Sequence, residues 1–155
     1  MSTRIRVEAV LIDTSALLRT LQVRHPQHES VTRALELLPE QGRRLHMVPQ
    51  NLVELWVVGT RPVEQNGLGL TPAEAAEELY RIKGMFHLLP ETPTIYATWE
   101  KLVTRYAVSG KPSHDARSVA AMQVHGLTAI LSFDRKRFSR FPGIEVVDPG
   151  EVQAV

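Results

Sequence analysis

The chain has 155 residues, 43% hydrophobic and 23% charged, with a formal net charge of +1. These values fit one globular domain over residues 1–155, long enough to bury a substantial core without covalent staples. The lack of cysteine excludes disulfides, thiolate zinc sites and cysteine nucleophiles, and near-neutral charge leaves any phosphate-binding surface to local clustering.

No apolar run is long enough for a bilayer span. Met1 to Arg6 carries two arginines, and the apolar segment after it is broken by Glu8 and ends at Asp13, which is no signal peptide. A cytoplasmic protein without membrane contact is the expectation.

Val7 to Ile12 reads as a strand, an apolar run of the kind buried in a parallel sheet. Asp13 stops it and can cap the helix expected from Thr14 to Arg19. His25-Pro26 breaks the chain ahead of a second helix, with Val31, Ala34, Leu35 and Leu38 at helical spacing and Pro39 as its end. Leu45 to Val48 is a second strand. Pro49 opens a helix through Val58 whose apolar face is Leu52, Leu55 and Trp56, with Glu54 among them. Gly59 to Leu70 is the least regular stretch, long for a connection, and such loops tend to be functional or mobile.

Thr71-Pro72-Ala73-Glu74 has an N-cap, a proline at the first helical position and a capping-box glutamate. The helix that follows buries Ala75, Leu79 and Ile82 and stops at Gly84. Met85 to Leu89 is a third strand. Thr92-Pro93 starts a helix with Ile95, Trp99, Leu102, Val103 and Tyr106 as its stripe. Ser113 caps another helix, with Ala116, Val119, Ala120 and Val124 inward and Gly126 past its end. Leu127 to Leu131 and Ile144 to Val147 complete the strands, and Pro149-Gly150 begins a short tail. Strands alternating with helices imply right-handed crossovers and a mainly parallel sheet of roughly five strands covered on both faces, a three-layer α/β/α sandwich.

Each of four acids has an ordinary explanation. Asp13 and Asp115 suit helix starts, Glu54 a solvated helix face, and Asp134 a turn after a strand. Together they say more. Asp13, Asp115 and Asp134 fall at carboxyl ends of strands or amino ends of helices, which a parallel fold gathers on one rim, and Glu54 is near enough to lean over it. Clustered carboxylates repel unless a cation neutralises them, and Mg²⁺ or Mn²⁺ prefers oxygen ligands and activates water for phosphoryl chemistry.

Val10-Leu11-Ile12-Asp13-Thr14-Ser15, Val48-Pro49-Gln50-Asn51-Leu52-Val53-Glu54, Ser113-His114-Asp115-Ala116-Arg117 and Ile130 to Phe138 (ILSFDRKRF) occur in this order. They resemble the four signatures of PIN domains, above all those of VapC-type toxins of type II toxin–antitoxin pairs. The resemblance spans nearly the whole chain. It implies an α/β/α sandwich and an Mg²⁺- or Mn²⁺-dependent ribonuclease, with Asp13, Glu54, Asp115 and Asp134 as the catalytic, metal-binding set. It further implies Ser132 as a hydroxyl near the metal, Ser15 as support for Asp13, a homodimer, and a VapB-like antitoxin. The departure from the shortest family members is the extended stretch from Gly59 to Leu70. A PIN nuclease without an antitoxin, and a non-catalytic module of the same fold, are the competing readings.

The basic run Arg135-Lys136-Arg137 with Arg140 follows Asp134, and Arg117 lies near Asp115; these cations are candidate RNA contacts, against the plain reading of solvated charge. His114 is more often incidental than a ligand at a helix start. His25 and His28 lack further ligands for zinc. Trp56, Trp99 and Tyr106 sit on apolar helix faces and read as core.

Overall fold

The computed structural model describes residues 8–155. Val7 and the Met1 to Arg6 segment lie outside the described residues. The central sheet is formed by β1 (Glu8–Ile12), β2 (Arg43–Met47), β3 (His87–Leu88), β4 (Ala129–Leu131) and β5 (Glu145–Val147). All pairings are parallel, in the order β3-β2-β1-β4-β5. The helices are α1 (Thr14–Leu21), α2 (His28–Glu40), α3 (Pro49–Thr60), α4 (Pro72–Met85), α5 (Pro93–Arg105) and α6 (Pro112–His125). Among the described residues no helix is long and apolar enough to cross a membrane.

The alternation of β1 explains the layers. Val10 and Ile12 point into a cluster with Leu17, Val31, Leu38, Leu55 and Ile82, so α1 to α4 cover one face. Leu11 points the other way, with Ile130 of β4, into Ile95, Leu102, Val119 and Met122 of α5 and α6. Val10, Leu11 and Ile12 are each fully buried. Side chains of this size stabilise the fold by about 1.5–3 kcal/mol apiece when taken out of water. This is the expected three-layer α/β arrangement, and a central strand flanked on both sides and both faces needs just such an unbroken apolar run.

Several boundaries differ from expectation for local reasons. Pro39 lies within the last turn of α2 rather than ending it. Gly84 sits inside α4, which runs on to Met85. Val48 is the N-cap of α3, not a strand residue. Ser113 lies inside α6, which begins at Pro112. The strand expected from Met85 to Leu89 shrinks to two exposed residues, as befits an edge with one partner. The tail from Pro149 is docked: Pro149–Glu151 forms a 3-10 turn, Val152 is buried, and Gln41 Nε2 donates to Gln153 O at 2.6 Å.

The stretch from Gly59 to Leu70 is a hydrogen-bonded elbow folded back on α3. Leu68 N–H donates to Val58 O at 3.0 Å and Leu70 N–H to Gly59 O at 2.9 Å, around a 3-10 turn at Val63–Gln65. Gly67 packs so close that a Cβ there would lie 1.9 Å from Arg61 O. Only glycine lets the backbones approach this far.

One buried side chain ties the first motif to the second. Val48 has no side-chain acceptor with which to cap α3. Asn51 reaches back instead: its Oδ1 accepts Val48 N–H at 2.8 Å and its Nδ2 donates to Thr14 Oγ1 at 3.1 Å. Asn51 is 1% exposed, so water cannot replace these bonds. Asn51→Ala is expected to cost about 2 kcal/mol in urea-induced unfolding, because both partners lose a bond in a dry site. A change below about 0.5 kcal/mol would contradict that account.

Candidate active site

The register of the sheet assembles the site. Ile12 pairs with Leu131, so the residues just past the two strands, Asp13 and Ser132, stand side by side on the carboxyl rim. Asp13 N–H donates to Leu131 O at 3.0 Å, and Ser132 N–H to Val147 O at 3.0 Å, which extends the ladder into the loops. Asp13 is the N-cap of α1 through its backbone carbonyl alone, and its carboxylate makes no cap bond. The sequence offered Asp13 as a side-chain cap for this helix, a role its carboxylate does not take. Here the carboxylate is turned wholly into the rim.

Asp13 is 3% exposed, and its carboxylate has several partners. Oδ2 accepts Ser15 Oγ at 2.7 Å and Ser132 Oγ at 2.9 Å. Arg137 completes the set: NH1 donates to Asp13 Oδ2 at 2.7 Å, and NH2 donates to Asp115 Oδ1 at 2.6 Å. Arg137 Nε also donates to Asp115 Oδ1, at 3.1 Å. Burial works against the Arg137 charge, but the hydrogen bonds and charges of Asp115 and Asp13 outweigh it and hold the guanidinium above the ordinary arginine value. Asp115 stands in the first turn of α6, where its charge also suits the helix dipole.

Glu54 lies one helix face away, half-buried on α3. Gln50, one turn earlier at the spacing that makes helix neighbours, donates Nε2 to Glu54 Oε1 at 2.7 Å. The same amide reaches His114 O at 3.1 Å, and Gln50 Oε1 accepts Arg117 NH1 at 3.2 Å. Gln50 therefore pins α3 to the start of α6. Burial pushes the Glu54 carboxyl above the usual glutamate range and the Asp13 charge adds to this, while the Gln50 hydrogen bond, His114 and Arg137 pull it back.

An open cleft of about 780 Å³ lies over these groups. Glu54, Asp115 and Arg137 line its acidic end, with Arg61, Lys111, Arg117 and exposed His114 around them. Exposed Val53 and Val57 give it an apolar wall.

Asp134 is placed differently from the other acids. It is exposed, and its Oδ1 accepts Lys136 N–H at 3.2 Å, capping the 3-10 turn Arg135–Phe138. Its own N–H donates to Ser132 Oγ at 3.2 Å, so it is joined to the Asp13 network through its backbone. The basic run splits three ways: Arg135 pairs with Glu151 at 3.0 Å, Lys136 is exposed, and Arg137 turns onto the acids. Arg117 pairs with Glu91 at the cleft wall.

Among the described residues no three acids or histidines converge closely enough to share an ion in this conformation. The donor chemistry nonetheless fits a hard divalent cation. Asp13 and Asp115 already converge on one positive centre, and their oxygens are the donors that Mg²⁺ or Mn²⁺ prefers. Arg137 takes that central position here. The histidines flagged as a weak zinc pair serve the turn before α2: His28 Nδ1 lies 2.7 Å from Arg19 O, and His25 Nδ1 accepts Gln27 N–H at 3.0 Å. Trp99 and Tyr106 pack with the α5–α6 face, and Trp99 Nε1 donates to Ser113 O at 2.8 Å.

Sequence reasoning missed Gln50 and Asn51 as positioning groups and took Arg137 only as a possible RNA contact. The i,i+4 spacing of Gln50 and Glu54 was a usable signal; nothing local pointed to Asn51 or to the turn of Arg137.

Known structures share this architecture. A DNA-bound VapBC complex from Salmonella typhimurium contains a chain that matches with a TM-score of 0.68 at 16% identity, over 92% of this chain and 98% of that one. A toxin–antitoxin complex from Klebsiella pneumoniae matches at 0.62 and 22% identity, over 92% and 99%. A sarcin–ricin-loop-cleaving VapC toxin of Mycobacterium tuberculosis matches at 0.61 and 18%, over 85% and 95%. No curated protein sequence matches the chain. The family model of the PIN domain matches residues 10–144, from the middle of β1 to the threshold of β5, and the chain belongs to the PIN-domain family.

Proposed function

We propose that the chain is a divalent-metal-dependent endoribonuclease of the VapC toxin type, hydrolysing RNA phosphodiester bonds under control of a cognate antitoxin. The observation that carries this is the convergence of Asp13 and Asp115 on a single cation at the floor of a cleft rimmed by further positive charge. Asp13, Asp115 and Glu54 would hold Mg²⁺ or Mn²⁺, with Asp134 close by in the chain of hydrogen bonds through Ser132. Such an ion supplies Lewis acidity that activates water and neutralises developing phosphoryl charge.

The chain's own groups do the rest. Ser15 and Ser132 fix the orientation of the Asp13 carboxylate. Gln50 holds Glu54 against the cleft. Arg117 and Lys111 offer charge to passing phosphates, with Lys136 exposed beside the site. The toxin reading draws on the neighbours, which include one complex named as toxin–antitoxin, one VapBC complex and one toxin named for cleaving the sarcin–ricin loop. A VapB-like antitoxin and a homodimer belong to the same reading.

The test is incubation of the purified chain with RNA in Mg²⁺ or Mn²⁺ and, in parallel, in EDTA, with mapping of the new ends. Internal cuts are expected with metal and none with chelator. Equal cleavage in EDTA would overturn the metal mechanism, and absence of cleavage under both conditions would favour a binding module. Co-expression with the neighbouring gene then tests the antitoxin: growth arrest relieved by that gene is the expected result.

A further inference from the structure

Arg137 makes more contacts with the acidic rim than a surface cation needs. NH1 and NH2 reach both oxygens of Asp13, at 2.7 and 3.4 Å, and NH2 and Nε both reach Asp115 Oδ1. Asp13 is almost wholly buried, and burying a carboxylate costs little only where it is paired and hydrogen-bonded. The direction of Arg137 is not a general feature of the basic run, since Arg135 turns to Glu151 instead. It follows from the neighbouring residue: Phe138 is 1% exposed among the α5–α6 cluster, which anchors the 3-10 turn and aims the preceding side chain at the rim.

We propose that Arg137 is a built-in counter-cation of the carboxylate site, holding Asp13 and Asp115 together before a divalent ion arrives and competing with that ion for the same oxygens. The inference rests on the metal-dependent reading above. Metal entry breaks the Arg137 contacts, so part of the binding free energy is spent on displacement. The acids are pre-assembled, and the apparent metal affinity is set lower than the carboxylates alone would give.

The experiment measures Mn²⁺ binding to the full chain by calorimetry, without RNA, for wild type, Arg137→Gln, Arg137→Lys and Asp13→Asn. Removing the competing charge is expected to tighten Mn²⁺ binding about tenfold or more in Arg137→Gln. Arg137→Lys, which keeps the charge but loses the planar fork, should fall between. In EDTA, Arg137→Gln should melt below wild type and gain more from Mn²⁺.

Binding that is lost in Asp13→Asn but is equal or weaker in Arg137→Gln overturns the counter-cation role and leaves the metal reading standing. Mn²⁺ binding by neither wild type nor Arg137→Gln overturns both. Should Arg137→Gln not fold in EDTA, the wild-type chain decides. Its Arg137 Nε–H resonance, identified by its loss in Arg137→Lys, is expected to shift to a solvent-exposed position on Mg²⁺ titration. A resonance unmoved at saturating Mg²⁺ overturns the proposal.

Discussion

Asp13→Asn is expected to lower RNA cleavage by at least about 100-fold in saturating Mn²⁺, since even groups that merely orient metal ligands are worth 10–100-fold. The substitution is close to isosteric. The asparagine carbonyl can still accept the Ser15 and Ser132 hydroxyls that now meet Oδ2 at 2.7 and 2.9 Å. Arg137 keeps its contacts with Asp115. What disappears is the negative charge at the most buried of the acids. The variant should therefore melt close to wild type while failing to cut. Gel assay of end-labelled RNA beside a thermal melt separates the two effects. An unchanged rate would remove Asp13 from the reaction, and a collapsed melt would show its role to be chiefly structural.

Phe138→Ala is expected to produce the largest loss of stability, about 3–5 kcal/mol, the usual cost of truncating a fully buried phenylalanine. That is a large share of the 5–15 kcal/mol by which domains of this size are stable. Phe138 is among the largest fully buried side chains and packs in the cluster that includes Phe141, Met122 and Leu127. Its loss also frees the 3-10 turn that directs Arg137, so the acidic rim should loosen along with the core. Urea denaturation gives the first effect. A loss under about 1 kcal/mol would mean that the site collapses to fill the cavity, contrary to the close packing described here.

These two positions differ in how visible they were in the chain. Asp13 could be read from its neighbours, because an apolar run ending at an acid marks the end of a buried strand, whatever the run packs against. The same holds for Leu127 to Leu131, of which Ala129–Leu131 pairs as β4, and for the stripe of α5. Boundaries were less legible where two local rules competed. Pro39 and Gly84 are helix breakers by propensity, yet each falls in a last turn, where a lost bond or an added freedom costs little. The Gly59 to Leu70 stretch gave no periodic signal because its order comes from backbone bonds to α3, not from side chains.

Residue order alone therefore determined the α/β class, the parallel sheet and the acids at the ends of its strands, since these depend on hydrophobic period and capping within a few residues. Only the tertiary structure decided which groups meet. Residues 13, 115 and 137 come together because β4 lies beside β1 in the sheet and α6 packs beneath the turn that follows β4. The choice of Arg137 over Arg135 or Lys136 was equally out of reach. In a turn of about three residues each side chain points a different way, and the burial of Phe138 selects the one that faces the acids.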